Sequence, residues 1–326
     1  MLTRRMFHTR LMAALAASAL PLARPVRAEG DSQARLWLNR LTFGATPAAV
    51  ADFTALGAEA WLDRQLALPA TDPALADRLS KARLRISYSG GEDENGASWP
   101  AVDELRPLAA LSADQASFLS LIDWTPGRGV GYAERLRPAT EVIAAALIRA
   151  VHAEAQLHEV MTQFWHNHFN VHSTKDEYIA AFFVSHDSIM RSHALGNFRI
   201  LLGEVARSPA MLYYLNNADS IASPANENFA RELLELHTLG AGNYLNDRYS
   251  DWQAVPGAAE GRAEGYLDLD VYEVARAFTG WSMGDGRWIA EGENAPLTGR
   301  FHYVARWHDP YQKRILGHEI PPNRGP

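Results

Sequence analysis

Residues 224–240 read PANENFARELLELHTLG, and how this stretch is read decides the fold. Wound as an α-helix, it divides into two faces. Glu227, Asn228, Arg231, Glu232 and Glu235 share one broad arc. Phe229, Ala230, Leu233, Leu234, Leu236 and His237 fill the opposite one. Both ends carry helix punctuation: Pro224 suits a first turn, Asn226 can cap, and Gly240 suits the position past the C-terminus. The polar arc supports two readings. One is a solvated face laced by a Glu227–Arg231–Glu235 ladder at i, i+4 spacing. The other is a carboxylate cluster turned inward, able to hold a cation or move protons. Two asparagines bracketing a glutamate are poor helix formers and sit more naturally at a cap or a site.

Around this helix the chain is rich in apolar periodicity of the same kind. It has 326 residues, 47% of them hydrophobic and 21% charged, enough for a large core in one domain or two smaller ones. Cysteine is absent, which removes disulfides, thiolate nucleophiles and Cys-based zinc or iron–sulfur sites. The formal charge is −7, yet the first 28 residues hold five arginines and no acid. Without them 26 basic residues face 38 acidic ones, a balance of −12. That speaks against nucleic acid or an anionic membrane as a general partner, since both need clustered positive charge.

The N-terminus explains the asymmetry. Thr3-Arg4-Arg5-Met6-Phe7 precedes an apolar run from Leu11 to Ala23, and Pro25-Val26-Arg27-Ala28 ends in a small residue. Residues 1–28 resemble a twin-arginine export signal, with the mature chain beginning near Glu29 and destined for the periplasm or the exterior. The apolar run is short against the roughly 20 residues that span a bilayer, so no transmembrane anchor is expected after cleavage. Substrates of that route cross folded, often with a cofactor already inserted, which favours a bound metal.

Downstream, Arg35 to Leu68 reads as short helices, with Thr46-Pro47 as a cap and first-turn proline. A further helix is expected over 72–85, an exposed loop over 87–100 and a flexible break over 127–131. From Ala133 to about His193 the pattern is almost continuously helical. Asp268 or Asp270 is placed to cap DVYEVARAFTGW, and Trp288, Phe301, Tyr303, Trp307, His308 and Asp309 lie in a tail without strong period. The expectation is a single, mainly α domain over 29–326: a multi-helix orthogonal bundle with an irregular, aromatic-rich C-terminal tail.

Two segments carry candidate chemistry. Residues 157–172, LHEVMTQFWHNHFNVH, hold four of the twelve histidines. On a regular helix His168 and His172 share a face, whereas His166 points the other way, near Glu159 and Gln163. His168 with His172 could therefore ligate one ion, as in helical zinc motifs, or be a satisfied core pair beside Trp165. A helix break near Asn167 would instead pair His166 with His168. The string Gly280-Trp281-Ser282-Met283-Gly284 matches the nucleophile elbow G-x-S-x-G, but it follows a helix rather than a strand of a parallel sheet. Ser282 is not expected to be a nucleophile.

Taken together, LNRLTFG, GAEAWLDRQL, FWHNHFNVH, GNFRILLGEVARSPAMLYYLNN, NENFARELLELHTLG, DVYEVARAFTGW and WHDPYQKRILG resemble the large bacterial family called domain of unknown function 1800. The resemblance covers nearly all of the mature chain. It implies an exported, mostly helical protein with no established reaction, often encoded beside an exported protein of sulfatase-like fold, a plausible partner. Members usually continue past the position of Lys313 to Gly317, so the chain is expected to be C-terminally truncated. The resemblance points to His166, Asn167 and His168, to Asn226, Glu227, Asn228, Arg231, Glu232 and Glu235, and to Arg276, Gly280, Trp281, His308 and Asp309. It favours His166 with His168 over the pair with His172; His237 departs from the family's more usual aromatic, and its place on the apolar arc suggests packing.

Two functions follow. The first is a periplasmic, hydrolase-like enzyme using a divalent metal held by His166, His168 and Glu227. Glu232 or Glu235 would be its general base, and Arg231 would hold an anionic group. Asn226, Asn228, Arg276, Trp281, His308 and Asp309 would bind a small molecule or glycan. The second is a non-catalytic accessory or scaffold protein of an envelope or polysaccharide system. The enzyme needs an imidazole of the first segment within a hydrogen bond, or one bridging ion or water, of a carboxylate of the second.

Overall fold

Local chemistry starts the first helices of the computed structural model, which describes residues 29–92, 96, 98–123 and 129–325. The proposed export signal lies outside the described residues. After α1 (Glu29–Leu41), Thr46 accepts a hydrogen bond from the Ala49 N–H and Pro47 fills the first turn of α2 (Pro47–Leu56). Gly57, at φ 79°, closes α2 in a conformation a side chain would strain, and α3 (Ala58–Ala67) follows. The chain divides into two units, the first ending at Leu62 and the second beginning at Asp63. In the first, Leu38, Val50, Phe53 and Trp61 are buried together.

In the second unit Asp72 caps α4 (Pro73–Lys81) by accepting from the Leu75 N–H at 2.8 Å. The helix expected to reach Arg85 stops at Lys81. The reason is period: Leu84, Ile86 and Tyr88 alternate with polar residues and build β1 (Arg83–Tyr88). Within the stretch expected as a loop over 87–100 lie β2 (Gly91–Glu92) and β3 (Ser98–Trp99), paired with each other, before β4 (Val102–Pro107) returns antiparallel to β1.

The helical body follows: α5 (Tyr132–Arg135), α6 (Arg137–His152), α7 (Gln156–His168), α8 (Glu177–Ser192), α9 (Phe198–Arg207) and α10 (Pro209–Tyr214). Asp176 caps α8 and Asn197 caps α9. The second unit is organised around α8, not around residues 224–240. Helices α6, α7, α9 and α10 all pack on it. Its Ile179, Ala180, Ala181, Phe182, Phe183 and Met190 are buried. A helix apolar on most sides belongs in a core.

Residues 224–240 form α11 (Glu227–Glu232) followed by a π-helical turn, Leu233–Thr238. Asn226 caps as expected, its side chain accepting from the Asn228 N–H at 3.0 Å, whereas Pro224 lies outside the helix. The wider turn shows in the Leu239 N–H, which bonds back to the Leu234 carbonyl. Leu234 and His237 face the interior. Asn226→Ala should lower stability by about 1 kcal/mol, read as a shift of the urea midpoint at unchanged slope.

The last helix, α12 (Asp268–Phe278), is preceded by Leu267, whose N–H donates to the Asp270 carboxylate. The tail is a run of short antiparallel pairs. Strand β5 (Trp281–Asp285) pairs with β8 (Leu297–Tyr303), between which β6 (Trp288–Ala290) pairs with β7 (Glu293–Asn294). Strand β9 (Lys313–Ile315) pairs with β10 (His318–Ile320). The fold is mainly α with an aromatic-rich tail, and among the described residues no helix is long and apolar enough to cross a membrane. Ser282 lies fully buried on β5, its hydroxyl donating to the Ala218 carbonyl at 2.7 Å.

Candidate functional site

The polar arc of α11 lies largely in water. The Glu227 and Arg231 side chains are 46% and 41% exposed, and Arg231 sits 3.6 Å from Glu227 and 3.2 Å from Asp268. The i, i+4 contact of the ladder therefore forms between Glu227 and Arg231. Past Leu233 the α spacing gives way to the π turn, and Arg231 reaches across to Asp268 at the start of α12. Glu232 and Glu235 are half-buried. Asn228 donates its amide to the Leu215 carbonyl at 3.1 Å, and the Asn226 N–H bonds to the Ser220 hydroxyl. Both asparagines thus fix the approach to the helix.

The two histidine-bearing stretches do meet, but through the other face. Helix α7 runs unbroken to His168, so His166 and His168 diverge. The His168 ring donates from Nε2 to the backbone carbonyl of His237 at 3.0 Å, and the two rings lie 6.3 Å apart. Burial lowers the His237 imidazole to about 4, with His168 adding to the shift, so it is neutral at pH 7. His172 is exposed. His166, His168 and Glu227 thus take three separate sets of partners. Among the described residues, no group of three or more His, Asp or Glu side chains is arranged to hold a metal ion.

His166 belongs instead to an ionic cluster between α7 and α8. Its Nε2 donates to Asp187 at 3.0 Å. Arg191, one turn on, donates from Nε to the other Asp187 oxygen at 3.0 Å and grips Glu159 with both Nη atoms at 2.8 Å. Arg149 of α6 stands 3.8 Å from Asp187, and its Nε and Nη1 are buried without a hydrogen-bond partner. Burial alone would raise the Asp187 and Glu159 carboxyls. His166 and Arg191 outweigh it at Asp187, His158 and Arg191 at Glu159, and both are held below the usual range. Beside the cluster His186 is fully buried, its ring 5.9 Å from that of His166. Its Nδ1 shares a hydrogen bond with the Ser208 hydroxyl at 2.9 Å, while Nε2 has no partner. Burial drives its pKa down to about 3.

Part of this cluster is legible from side-chain spacing. Glu159 and His166 share one side of α7, and Asp187 and Arg191 stand at i, i+4 on α8. What it could not show is that these two polar strips face one another.

The remaining candidates form a clamp. Arg276 makes a two-point contact to Asp309 at 2.7 and 3.0 Å and donates to Glu273 at 2.7 and 2.9 Å. Lys313 donates to the Asp309 and Tyr311 carbonyls, and Glu273 also receives the Arg314 N–H. Burial would raise Asp309, but Arg276 holds it below the ordinary carboxylate range. His308 donates from Nδ1 to the Thr279 carbonyl at 2.9 Å. Trp281 packs edge-on against Phe278, under the Arg207 guanidinium. The structure brings Arg276 and Asp309 together, with His308 at their side, and ties all three to the chain itself.

No curated protein and no solved structure matches this chain. A family model described as a protein of unknown function, DUF1800, matches residues 36–326. That span takes in the histidine helix, the capped acidic helix and the Arg276–Asp309 clamp, and the chain belongs to the DUF1800 family.

Proposed function

We propose that the chain is an exported, non-catalytic accessory protein of an envelope or polysaccharide system, with an exported protein of sulfatase-like fold as its partner. One observation carries the reading. The buried carboxylates Glu159, Asp187 and Asp309 are each engaged by guanidinium groups and held below the ordinary carboxyl range. None of these three carboxylates is therefore poised as a general acid or base at neutral pH. The Glu227–Arg231 face, meanwhile, is solvated. Charges saturated in this way build a rigid body.

The test is turnover. Full-length protein, folded in the cytoplasm and exported, should leave chromogenic esters, glycosides and sulfate or phosphate esters unhydrolysed, with no difference between the native chain and Glu232→Gln or Glu235→Gln. Turnover removed by either substitution at unchanged melting temperature would overturn the accessory reading.

A second reading keeps the divalent metal and the hydrolase. It is favoured by the Asp187–His166 pair, the arrangement in which a carboxylate orients a metal-bound imidazole, standing next to His186 with its unpartnered Nε2. Stoichiometric metal in the exported protein, lost in His166→Ala together with turnover, is its signature.

A further inference from the structure

A cleft of about 490 Å³ opens between the loop 219–223 that leads into α11 and the β6–β7 hairpin of the tail. Its walls carry two tryptophans, Trp288 and Trp307, with Asp219, Ser223 and Arg306 at the polar edge. Trp288 is 69% exposed on β6, unusual for the largest apolar side chain. Trp307 is held differently, half-buried and packed on the small cluster of Ile289, Ala295 and Val304. One indole plane is therefore fixed by the fold and the other presented to solvent.

Each charged residue of the lining has a partner of opposite sign. Asp219 is 80% exposed but receives Arg287 Nη1 at 2.5 Å, and Arg306 lies 3.5 Å from Glu293. Arg287 is itself anchored by Asp285 and the Tyr213 hydroxyl, so the Asp219 carboxylate is held in place. A carboxylate has about four acceptor sites, and one guanidinium contact leaves others for a ligand's hydroxyls. The cleft thus offers one fixed and one exposed aromatic face, acceptors and donors at its edge, and a lining in which Asp219 and Arg306 balance.

We propose that this cleft binds a neutral carbohydrate chain. The C–H face of a pyranose carries a weak positive potential that suits the negative face of an indole, while its hydroxyls leave the ring edge-on, toward Asp219, Ser223 and Arg306. The volume lies within the range of small-ligand sites. A nucleic acid would meet a chain with an excess of acid and no cationic rim, and an acyl chain would meet an open, polar-edged cleft. The inference rests on the accessory reading and names what the accessory protein holds.

The test uses the full-length chain with soluble neutral glucans, mannans and xylans, and with polygalacturonate as the acidic counterpart. Native protein should be retarded in gels containing at least one neutral polysaccharide, and its tryptophan emission should shift to the blue on titration with that polymer's oligosaccharides. Trp288→Ala should weaken binding tenfold or more at unchanged melting temperature, and Trp288→Phe should retain part of it. Tyr311→Ala, which removes a 71% exposed aromatic away from the cleft, should bind as the native chain does. No binding to any neutral polymer at millimolar oligosaccharide, or binding indifferent to Trp288→Ala, overturns the proposal. So does binding confined to polygalacturonate, or a cleft that takes up only protein. None of these outcomes produces turnover, so failure here leaves the accessory reading standing, and hydrolysis would defeat that reading without touching the binding result.

Discussion

Replacing Glu159 with leucine is expected to cost about 3–5 kcal/mol, because it strands a buried guanidinium. Glu159 is 1% exposed and takes both Nη atoms of Arg191. Without it Arg191 keeps only its Nε contact to Asp187, and the two Nη groups lose their acceptors inside the protein. At about 2–4 °C per kcal/mol for a unit of this size, the melting temperature should fall by on the order of 10 °C. The double variant Glu159→Leu/Arg191→Met separates the cost of an orphaned charge from the worth of the pair. It should lose clearly less than the two single losses added together, since neither charge is then left alone. Strict additivity in urea unfolding would show that the two side chains do not interact in solution.

The second large effect is acid lability. His186 and His237 are buried with pKa values near 3 and 4, against 6.5 for the free imidazole. In the unfolded chain both rings take up protons below pH 6.5, and in the folded chain they do not until the pH nears their lowered values. The unfolded state therefore binds more protons, and stability falls as pH falls. The window runs from about pH 6.5 down to about 4, with each ring contributing up to about 1.4 kcal/mol per pH unit inside it. The carboxylates act in the same direction but lower down. Glu159, Asp187, Asp285 and Asp309 are depressed below the ordinary side-chain values of 4.5 and 3.8, so their contribution is lost only beneath those values. Urea midpoints at pH 7, 6 and 5 thus report the histidines almost alone. His237→Phe, which keeps an aromatic ring against Phe169, should flatten that slope by about one proton and leave the pH 7 stability within about 1 kcal/mol. A flat profile between pH 7 and 5 in the native chain would mean that both rings are reached by solvent.

Both predictions concern groups whose roles the sequence showed unequally. The mainly α class and the caps at Thr46 and Asn226 were legible, because each depends on neighbours in the chain, whereas the two faces expected over 227–237 break down past Leu233, where the π turn leaves Leu236 exposed. The strand at 83–88 is split by the sequence reading, 83–85 into the helix and 87–88 into the loop, because Asp72-Pro73 starts a real helix and nothing marks its end except a change of period. The hub was missed for the opposite reason. YIAAFFVSHDSIM is apolar on most sides, with its polar residues confined to one short strip, and that broad apolar surface is what lets four helices pack on it. His166 was singled out for its neighbourhood with His168, yet its partner is Asp187 on the next helix. Arg276 and Asp309 were named through resemblance alone, and only the folded chain shows that they hold each other.

The π turn at Leu233–Thr238 has a bearing on how such sequences should be compared. It accommodates one residue more than an α-helix would in the same span, so the count between the Asn226 cap and Gly240 is itself a structural quantity. A chain one residue shorter there could keep both endpoints and still wind as plain α. Its equivalent of His237 would then be carried round the axis, and the carbonyl that receives His168 would be withdrawn from it. Insertions at this point should therefore be scored as changes of facing, not of length.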